Sequence, residues 1–457
     1  MTLQLFTTFE NSMQTEMKNK LTFALGLILA ATTLLAQTPD KTKLDKYMDA
    51  LEANNKYMGS VVIAKDGKII YSRTTGFADV ENKKKNTAAT KFRIGSISKM
   101  FTSTMIFKAV EEKKLKLTDK LDSYYANIPE ASNITIAQLL SHRSGIHNFT
   151  NSPGYHSWSG IPQTEAQMID IITQGGSDFE PDTKADYSNA NYVLLSYILE
   201  KTYKKPYKEL LSEKIVKPLK LTNTYLGGKI NPAANEAYSY GFMAKWEKDT
   251  ETDMSIPIGA GAVVSNPTDL AQFIEALFAG KLVSKASLDQ MKTLRDEYGM
   301  GMFRFPFEDK SSFGHSGGID GFTSFLSYFP NEKVTIAITS NGANMNTNDL
   351  SINLLSWAFG KPFEIPEFKT YNYTPEELDQ LIGIYTNTQM PVSFVISTNG
   401  KILSAQASGQ QSFPLESAEK NIFTFPSAGI TITFYPETKR FIIEQGGGSY
   451  TFTKKED

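Results

Sequence analysis

Phe92-Arg-Ile-Gly-Ser-Ile-Ser-Lys-Met-Phe101 sets the organisation of this sequence, because it joins reactive side chains to the start of an apolar run. The apolar residues recur at helical spacing, at Met100, Phe101, Met105, Ile106, Ala109 and Val110. This spacing predicts a helix that begins at Ser96. Residues three apart share one face of a helix, so we expect the Lys99 side chain to reach the Ser96 hydroxyl.

A serine followed three positions later by a lysine is a candidate nucleophile and base. A serine hydroxyl is a weak nucleophile unless a base removes its proton, and a desolvated lysine can do so. The first turn of a helix also carries unpaired backbone N–H groups, which can stabilise an oxyanion. The spacing alone is unspecific, because Ser417 and Lys420 share it without an apolar helix behind them. We expect Ser417 and Lys420 to be inert, and the case for Ser96 depends on residues elsewhere in the chain.

Composition restricts the class of protein. The 457 residues are 40% apolar and 21% charged, which is typical of soluble globular proteins and allows more than one domain. A formal net charge of −2 predicts no nucleic-acid partner and no polybasic membrane surface. The absence of cysteine excludes disulfides, thiolate metal ligands and a cysteine nucleophile. No metal or other cofactor is expected, because zinc-site spacing is lacking among His142, His147, His156 and His315. A structural role is expected for His142 and His147.

The N-terminal region has the pattern of an export signal. Two lysines precede the apolar run Leu21–Ala36, which is short for a membrane span. The pattern predicts that residues 1–36 are removed and that the mature protein is periplasmic or secreted, without stable membrane insertion. The alternative is an uncleaved membrane anchor. Residues 1–16 do not fit such a signal, so translation is expected to begin at Met17.

Hydrophobic patterns predict strands near both ends of a largely helical region. The predicted strands cover residues 60–65, 68–72, 322–329 and 333–340. Asp66-Gly67 joins the first two strands and is a strong hairpin signal. The predicted helices cover residues 41–54, 134–142, 165–173, 192–201, 208–221, 267–278 and 350–359. The helix from residue 267 has the clearest start, with Asn266 as N-cap and Pro267 in the first position.

A second unit follows a change in composition. Residues 363–374 are rich in proline, lysine, tyrosine and threonine, and we interpret them as a linker after a first domain of residues 37–362. Short strand patterns in residues 375–457 predict a small antiparallel β-barrel, with a sandwich as the alternative. Asn399-Gly400 supplies a hairpin turn signal within this unit.

Two further motifs accompany Ser96 along the chain. In the first, Tyr187 lies just before a predicted helix, and its phenol could shuttle a proton if nearby cations lowered its pKa. Asn189, two residues later, offers an amide that could recognise a substrate amide. In the second, His315 is followed by Gly317 and Gly318, where backbone N–H groups can approach a ligand closely. Each motif is weak alone, since Tyr-x-Asn occurs at two other places in the chain.

Together, Ser96-x-x-Lys99, Tyr187-x-Asn189 and His315-x-Gly317 resemble the serine β-lactamase and penicillin-binding protein superfamily. The likeness is to its class C branch, which includes DD-carboxypeptidases, D-aminopeptidases and carboxylesterases. It covers residues 42–360 and includes the flanking stretches 139–146 and 314–322. It implies an α+β fold, in which an antiparallel sheet is flanked by helices. The C-terminal unit is similar to the lipocalin-like domains often joined to this family.

The resemblance implies an acyl-enzyme mechanism and gives each motif a role. Ser96 would attack a carbonyl group while neutral Lys99 accepts its proton. Tyr187 would relay that proton to the leaving group and later help to activate water. Asn189 would orient the substrate amide. The backbone N–H groups of Ser96 and Gly318 would bind the oxyanion.

One position departs from the pattern of the drug-hydrolysing members, which have a lysine where this chain has His315. A lysine is a permanent cation suited to a substrate carboxylate, whereas a histidine is largely neutral near pH 7. The sequence therefore favours an exported serine hydrolase acting on D-amino-acid peptides or related amides, such as fragments of peptidoglycan. The alternatives are a carboxylesterase, a weak β-lactamase, and a non-catalytic penicillin-binding or sensor module.

Overall fold

The structure is a computed structural model that describes residues 40–455 except 244, 389 and 411. The predicted export signal and its cleavage site lie outside the described residues. Within the described residues, no helix is both long enough and apolar enough to span a bilayer.

The larger part of the chain is built on a six-stranded antiparallel sheet, which we call the main sheet. Its strands, in spatial order, are Phe303–Phe307, Lys310–Ile319, Phe322–Phe329, Val334–Ala343, Tyr57–Lys65 and Lys68–Thr75. Strands from the two ends of this region therefore meet in the centre, where Ile63 lies opposite Ile336. The predicted hairpin is present, with positive φ values of 50° at Asp66 and 75° at Gly67. The predicted α+β architecture is confirmed.

Both faces of the main sheet are covered. Val61 and Ile63 pack into a core with the helices Lys41–Ala53 and Thr347–Ala358. Val62, between them, belongs to the core of the helical region on the opposite face. This alternation follows from the two-residue period of a strand, and it explains why the central strand is buried along nearly all its length.

The helical region lies between the two sets of strands in the sequence. Its α-helices are Ser98–Glu111, Asp122–Tyr125, Ile136–Leu140, Tyr155–Trp158, Glu165–Gly175, Asn189–Tyr203, Tyr207–Leu211, Lys217–Leu219, Ile258–Gly261, Pro267–Phe278 and Lys285–Lys292. Its short strands are Phe77–Asp79, Lys84–Lys85, Phe92–Arg93, Tyr225–Leu226, Tyr240–Phe242, Trp246–Lys248 and Val263–Ser265. The predicted cap of one helix is present, because the Asn266 side chain accepts a hydrogen bond from the backbone nitrogen of Asp269 at 2.9 Å.

The C-terminal unit is a closed barrel of eight antiparallel strands, preceded by the helix Pro375–Asp379. The strands are Gly383–Thr386, Ser393–Thr398, Leu403–Ala407, Phe413–Glu419, Ile422–Phe425, Ile430–Tyr435, Arg440–Gln445 and Gly448–Lys454. Phenylalanines fill its interior, including Phe394, Phe441 and Phe452. The barrel contacts the main part of the chain, since Glu416 is paired with the buried Lys56.

Candidate active site

Ser96 lies in a single 3-10 turn, Gly95–Ile97, which leads directly into the α-helix Ser98–Glu111. The α-helix therefore begins at Ser98, two residues after Ser96, where the apolar pattern predicted its start. The turn is anchored from behind, because the Ser98 hydroxyl accepts a hydrogen bond from the backbone nitrogen of Val263 at 3.0 Å. Ser96 itself is only partly buried, so a substrate can reach its hydroxyl.

Glycines bring the strand Lys310–Ile319 against this turn. Gly95 has a φ of 49°, and a Cβ atom there would lie 2.8 Å from the backbone nitrogen and oxygen of Gly318. A Cβ atom on Gly317 would lie 2.1 Å from a backbone oxygen of the facing segment and 3.0 Å from the Ser96 nitrogen. Glycine is required at both positions, because real Cβ atoms cannot approach so closely. The predicted nucleophile and the third motif are therefore in direct contact.

Lys99 is fully buried behind Ser96. Its Nζ lies 3.0 Å from Ser96 Oγ, 2.8 Å from Asn189 Oδ1 and 2.8 Å from Ala260 O. No carboxylate among the described residues forms an ion pair with this amine. Burial without a counter-ion disfavours the charged form and lowers the pKa of Lys99 well below its ordinary value of 10.5.

The hydrogen-bond partners of Lys99 suit a neutral amine. A neutral amine has two N–H bonds and one lone pair. The two N–H bonds can donate to Asn189 Oδ1 and Ala260 O, both of which can only accept. The lone pair can then accept the Ser96 O–H across the 3.0 Å separation. In this arrangement the lone pair of Lys99 faces the Ser96 hydroxyl.

The Tyr187 hydroxyl lies near the Ser96 hydroxyl, and Lys99 Nζ lies 4.8 Å from the centre of the Tyr187 ring. The oxygen is buried and forms no hydrogen bond of ordinary geometry within the described part of the chain. Burial raises the pKa of Tyr187 above its ordinary value of 10.0, and the nearby Ser96 hydroxyl lowers it by less. The sequence predicted a proton-shuttling role for the Tyr187 phenol on the condition that nearby cations lower its pKa. The structure differs because burial has the larger effect, so the phenol holds its proton at neutral pH.

Asn189 begins the helix Asn189–Tyr203, and its amide is engaged at both ends. The oxygen accepts from Lys99, as described above, while Nδ2 donates to Asn148 Oδ1 and Thr150 Oγ1, each at 3.2 Å. Asn148 Oδ1 also accepts from the Asn189 backbone nitrogen at 3.0 Å. Sequence reasoning did not identify Asn148 or Thr150. The only sequence signal for these two residues was their position just after the 139–146 stretch, in a region without a clear hydrophobic periodicity.

His315 is buried in the strand beside Gly317. Its Nδ1 donates to the backbone oxygen of Ser316, and Phe303 lies edge-on at 4.7 Å between ring centroids. Burial, helped by the proximity of Lys99, lowers the pKa of His315 to about 3. The imidazole is therefore neutral near pH 7 and supplies no cation to a substrate.

The second Ser-x-x-Lys pair is arranged differently. Ser417 Oγ donates to the backbone oxygen of Glu419 at 2.6 Å. Lys420 forms an exposed ion pair with Glu377 at 2.9 Å. Each side chain thus has a partner of its own, and the two lack the serine–amine hydrogen bond found at Ser96.

A model of the Beta-lactamase family matches residues 44–359, a range that contains the whole Ser96 site. The chain is 24% identical to penicillin-binding protein 4* of Bacillus subtilis (strain 168), over 88% of this chain and 96% of that protein. It is 27% identical to the teichoic acid D-alanine hydrolase of Staphylococcus aureus, over 67% of this chain and 75% of that protein. A solved structure, the D-stereospecific amidohydrolase from Streptomyces sp., matches with a TM-score of 0.56 and 26% identity, covering 67% of this chain and 95% of that chain.

Proposed function

The chain belongs to the beta-lactamase family of serine hydrolases, and from this premise we propose that Ser96 is its nucleophile and forms an acyl-enzyme. The observation that carries the proposal is the buried Lys99 amine, which lies 3.0 Å from Ser96 Oγ and has no carboxylate partner within the described residues. Burial of this kind disfavours the cation and favours the neutral, basic form of the amine.

Acylation follows from the positions of three side chains. Ser96 Oγ forms a bond to the carbonyl carbon as its proton moves to Lys99 Nζ. Tyr187 gives its proton to the leaving group as the bond to that group breaks, and it regains one from Lys99, so the Ser96 proton departs with the leaving group while Lys99 and Tyr187 return to their starting states. Water then attacks the acyl carbon while Lys99 and Tyr187 take its proton, the bond from that carbon to Ser96 Oγ breaks, and the proton passes to Ser96 Oγ as the acid is released.

The proposal assigns the oxyanion to backbone donors. The Ser96 and Gly318 nitrogens are the candidates, and the close approach of Gly317 to the Ser96 turn supports this pairing. Two fixed N–H groups would stabilise the negative charge that develops on the carbonyl oxygen. Asn189 would contribute mainly by holding Lys99, because its amide oxygen accepts from that amine.

We infer that the substrate is a D-amino-acid amide or peptide. The similarity to the teichoic acid D-alanine hydrolase supports a D-amino-acid group, and the similarity to the D-stereospecific amidohydrolase supports an amide bond. The neutral imidazole of His315 supports substrates that do not depend on a cation at this position. A carboxylesterase is the second candidate, because the same neutral site also suits small esters. The proposed place of action is outside the cytoplasm, since residues 1–36 have the pattern of an export signal.

A parallel turnover screen tests this function. We expect D-amino-acid amides and D-Ala-D-Ala peptides to be hydrolysed with higher kcat/KM than a chromogenic cephalosporin. Short acyl nitrophenyl esters should also react, because their leaving group needs little assistance. All of these activities should be lost in Ser96→Ala. Cephalosporin turnover far above that of the other substrates would contradict the proposed substrate class.

His315→Lys tests the charge argument separately. The variant places a lysine where the drug-hydrolysing members have one. A bound carboxylate would stabilise the charged form of the lysine against burial, so acylation by a carboxylate-bearing β-lactam should become about tenfold faster. Acylation by an uncharged nitrophenyl ester should not become faster. The rate constants can be measured by stopped-flow absorbance at pH 7. An unchanged β-lactam rate would mean that another group binds the carboxylate.

A further inference from the structure

His142 has an unusual backbone conformation next to the proposed site. Its φ is 57°, in the left-handed region that residues other than glycine seldom adopt. The side chain is almost fully buried. An unfavourable conformation of this kind persists only where the surrounding structure enforces it, and such residues cluster at functional sites. The contacts of His142 identify what this conformation achieves.

His142 holds the backbone on both sides of Tyr187. Its carbonyl oxygen accepts a hydrogen bond from the Asp186 nitrogen at 2.9 Å. Its Nδ1 accepts one from the Ser188 nitrogen at 3.1 Å. Because Nδ1 accepts an N–H bond, the neutral ring carries its proton on Nε2. Burial, together with the nearby Lys99, lowers the pKa of His142 well below its ordinary value of 6.5, so this tautomer does not change near neutral pH.

The imidazole also stacks on the Tyr187 ring. The two centroids are 4.4 Å apart, with an angle of 28° between the planes. The other aromatic neighbours of Tyr187 are more distant, with centroids at 6.3 to 6.5 Å: His315, Phe303 and Tyr298. The Tyr187 hydroxyl has no hydrogen bond of ordinary geometry within the described chain to fix its position. Ring stacking on His142, the held backbone and Lys99 Nζ, which lies 4.8 Å from the centre of the Tyr187 ring, are therefore the contacts that position the hydroxyl.

We propose that His142 is a positioning residue that holds the Tyr187 hydroxyl where it can protonate the leaving group. This inference rests on the proposed function of Tyr187 and adds to it a residue that would not touch the substrate. A purely structural role for His142 is the alternative. The two roles predict different kinetics. A poorly positioned proton donor slows the hydrolysis of substrates with basic leaving groups, whereas a general disturbance of the active-site structure slows the hydrolysis of all substrates alike.

The test compares two substrates with the same D-amino acyl group, an amide and a nitrophenyl ester. His142→Asn removes the ring, but asparagine tolerates a positive φ and its Oδ1 can accept from Ser188. We expect kcat/KM for the amide, which reports acylation and not the deacylation step that the two substrates share, to fall about tenfold to a hundredfold. Nitrophenolate leaves without a proton, so kcat/KM for the ester should fall less than about threefold. His156→Asn, the same change at an exposed histidine, should alter neither rate.

Further variants make the result decisive. Tyr187→Phe should reproduce the selective loss of amide turnover, and adding His142→Asn to it should cause little further loss. His142→Gly, which also accepts the positive φ and removes the ring, provides a second test if the asparagine variant does not fold. Equal losses on the two substrates in the folded His142 variants would overturn the positioning role. An unchanged amide-to-ester ratio in Tyr187→Phe, or no wild-type turnover of either substrate, would instead overturn the proposed function and this inference with it.

Discussion

Replacing Lys99 with methionine should slow acylation of Ser96 by about 1,000-fold. Methionine has a similar length and suits the buried position, but it has no lone pair basic enough to accept the Ser96 proton. The loss should appear in the acylation rate constant measured by rapid mixing with a nitrophenyl ester. A thermal melt of the variant separates this effect from loss of fold. Acylation within about threefold of the wild-type rate would remove Lys99 from the mechanism.

The pH dependence of kcat/KM in the wild-type enzyme should also indicate that Lys99 is the base. Only neutral Lys99 can accept a proton, so kcat/KM should rise with pH as this group loses its charge. Burial lowers its pKa, so the rise should be centred well below pH 10.5. Burial raises the pKa of Tyr187 above 10.0, so ionisation of the phenol should not reduce activity below that pH. In Lys99→Met the rising limb should be absent.

Arg93→Met should reduce the free energy of unfolding by about 3–5 kcal/mol. The Arg93 guanidinium is buried, and it donates to Asp320 Oδ2 at 2.7 Å and to Glu251 Oε2 at 3.1 Å. Asp320 is itself buried at its side chain, so the substitution leaves a charge without its partner. Urea unfolding followed by circular dichroism measures the change.

The position of Arg93 means that its loss should also reduce activity. It lies three residues before Ser96, and Asp320 follows the strand that carries His315 and Gly317. The ion pair therefore ties the nucleophile turn to that strand. Arg73→Met, at a more exposed ion pair with Asp49, is the matched control and should cost less than about 1 kcal/mol. Similar losses in the two variants would contradict this account of Arg93.

Local signals explain which parts of the fold the sequence predicted. The cap at Asn266 and the turn at Asp66-Gly67 depend on neighbouring residues, so the sequence alone identifies them. The first part of Val334–Ala343 was also predicted, because its six residues 334–339 are all β-branched or apolar, which is typical of a buried strand. The predicted strand ended at residue 340, before the asparagine and glycine that follow.

The strand Lys310–Ile319 was not predicted, although it carries His315 and both of the critical glycines. Its sequence has three glycines, three serines and only one β-branched residue, a composition that disfavours a strand. Pairing with Phe322–Phe329, where His315 lies opposite Leu326, stabilises it instead. Pairing with the strands on both sides therefore outweighs local propensity here.

The candidate site was predicted in its motifs but not in its supporting residues. Ser96 and Lys99 are close in the chain, so helical geometry alone brings them together. His142 and Asn148 act on a segment more than forty residues later, and no local pattern reveals such contacts. The direction of the Tyr187 pKa shift could not be predicted from the sequence either, because it depends on how deeply the ring is buried.

The most direct test of the central claim is to locate the covalent adduct of a fluorophosphonate by peptide mass spectrometry. The account predicts one adduct, on the peptide that contains Ser96, and its loss in Ser96→Ala. Ser417→Ala, which removes the other serine of this spacing, should label like the wild type. An adduct on another residue, or undiminished labelling of Ser96→Ala, would contradict the assignment of Ser96 as the nucleophile.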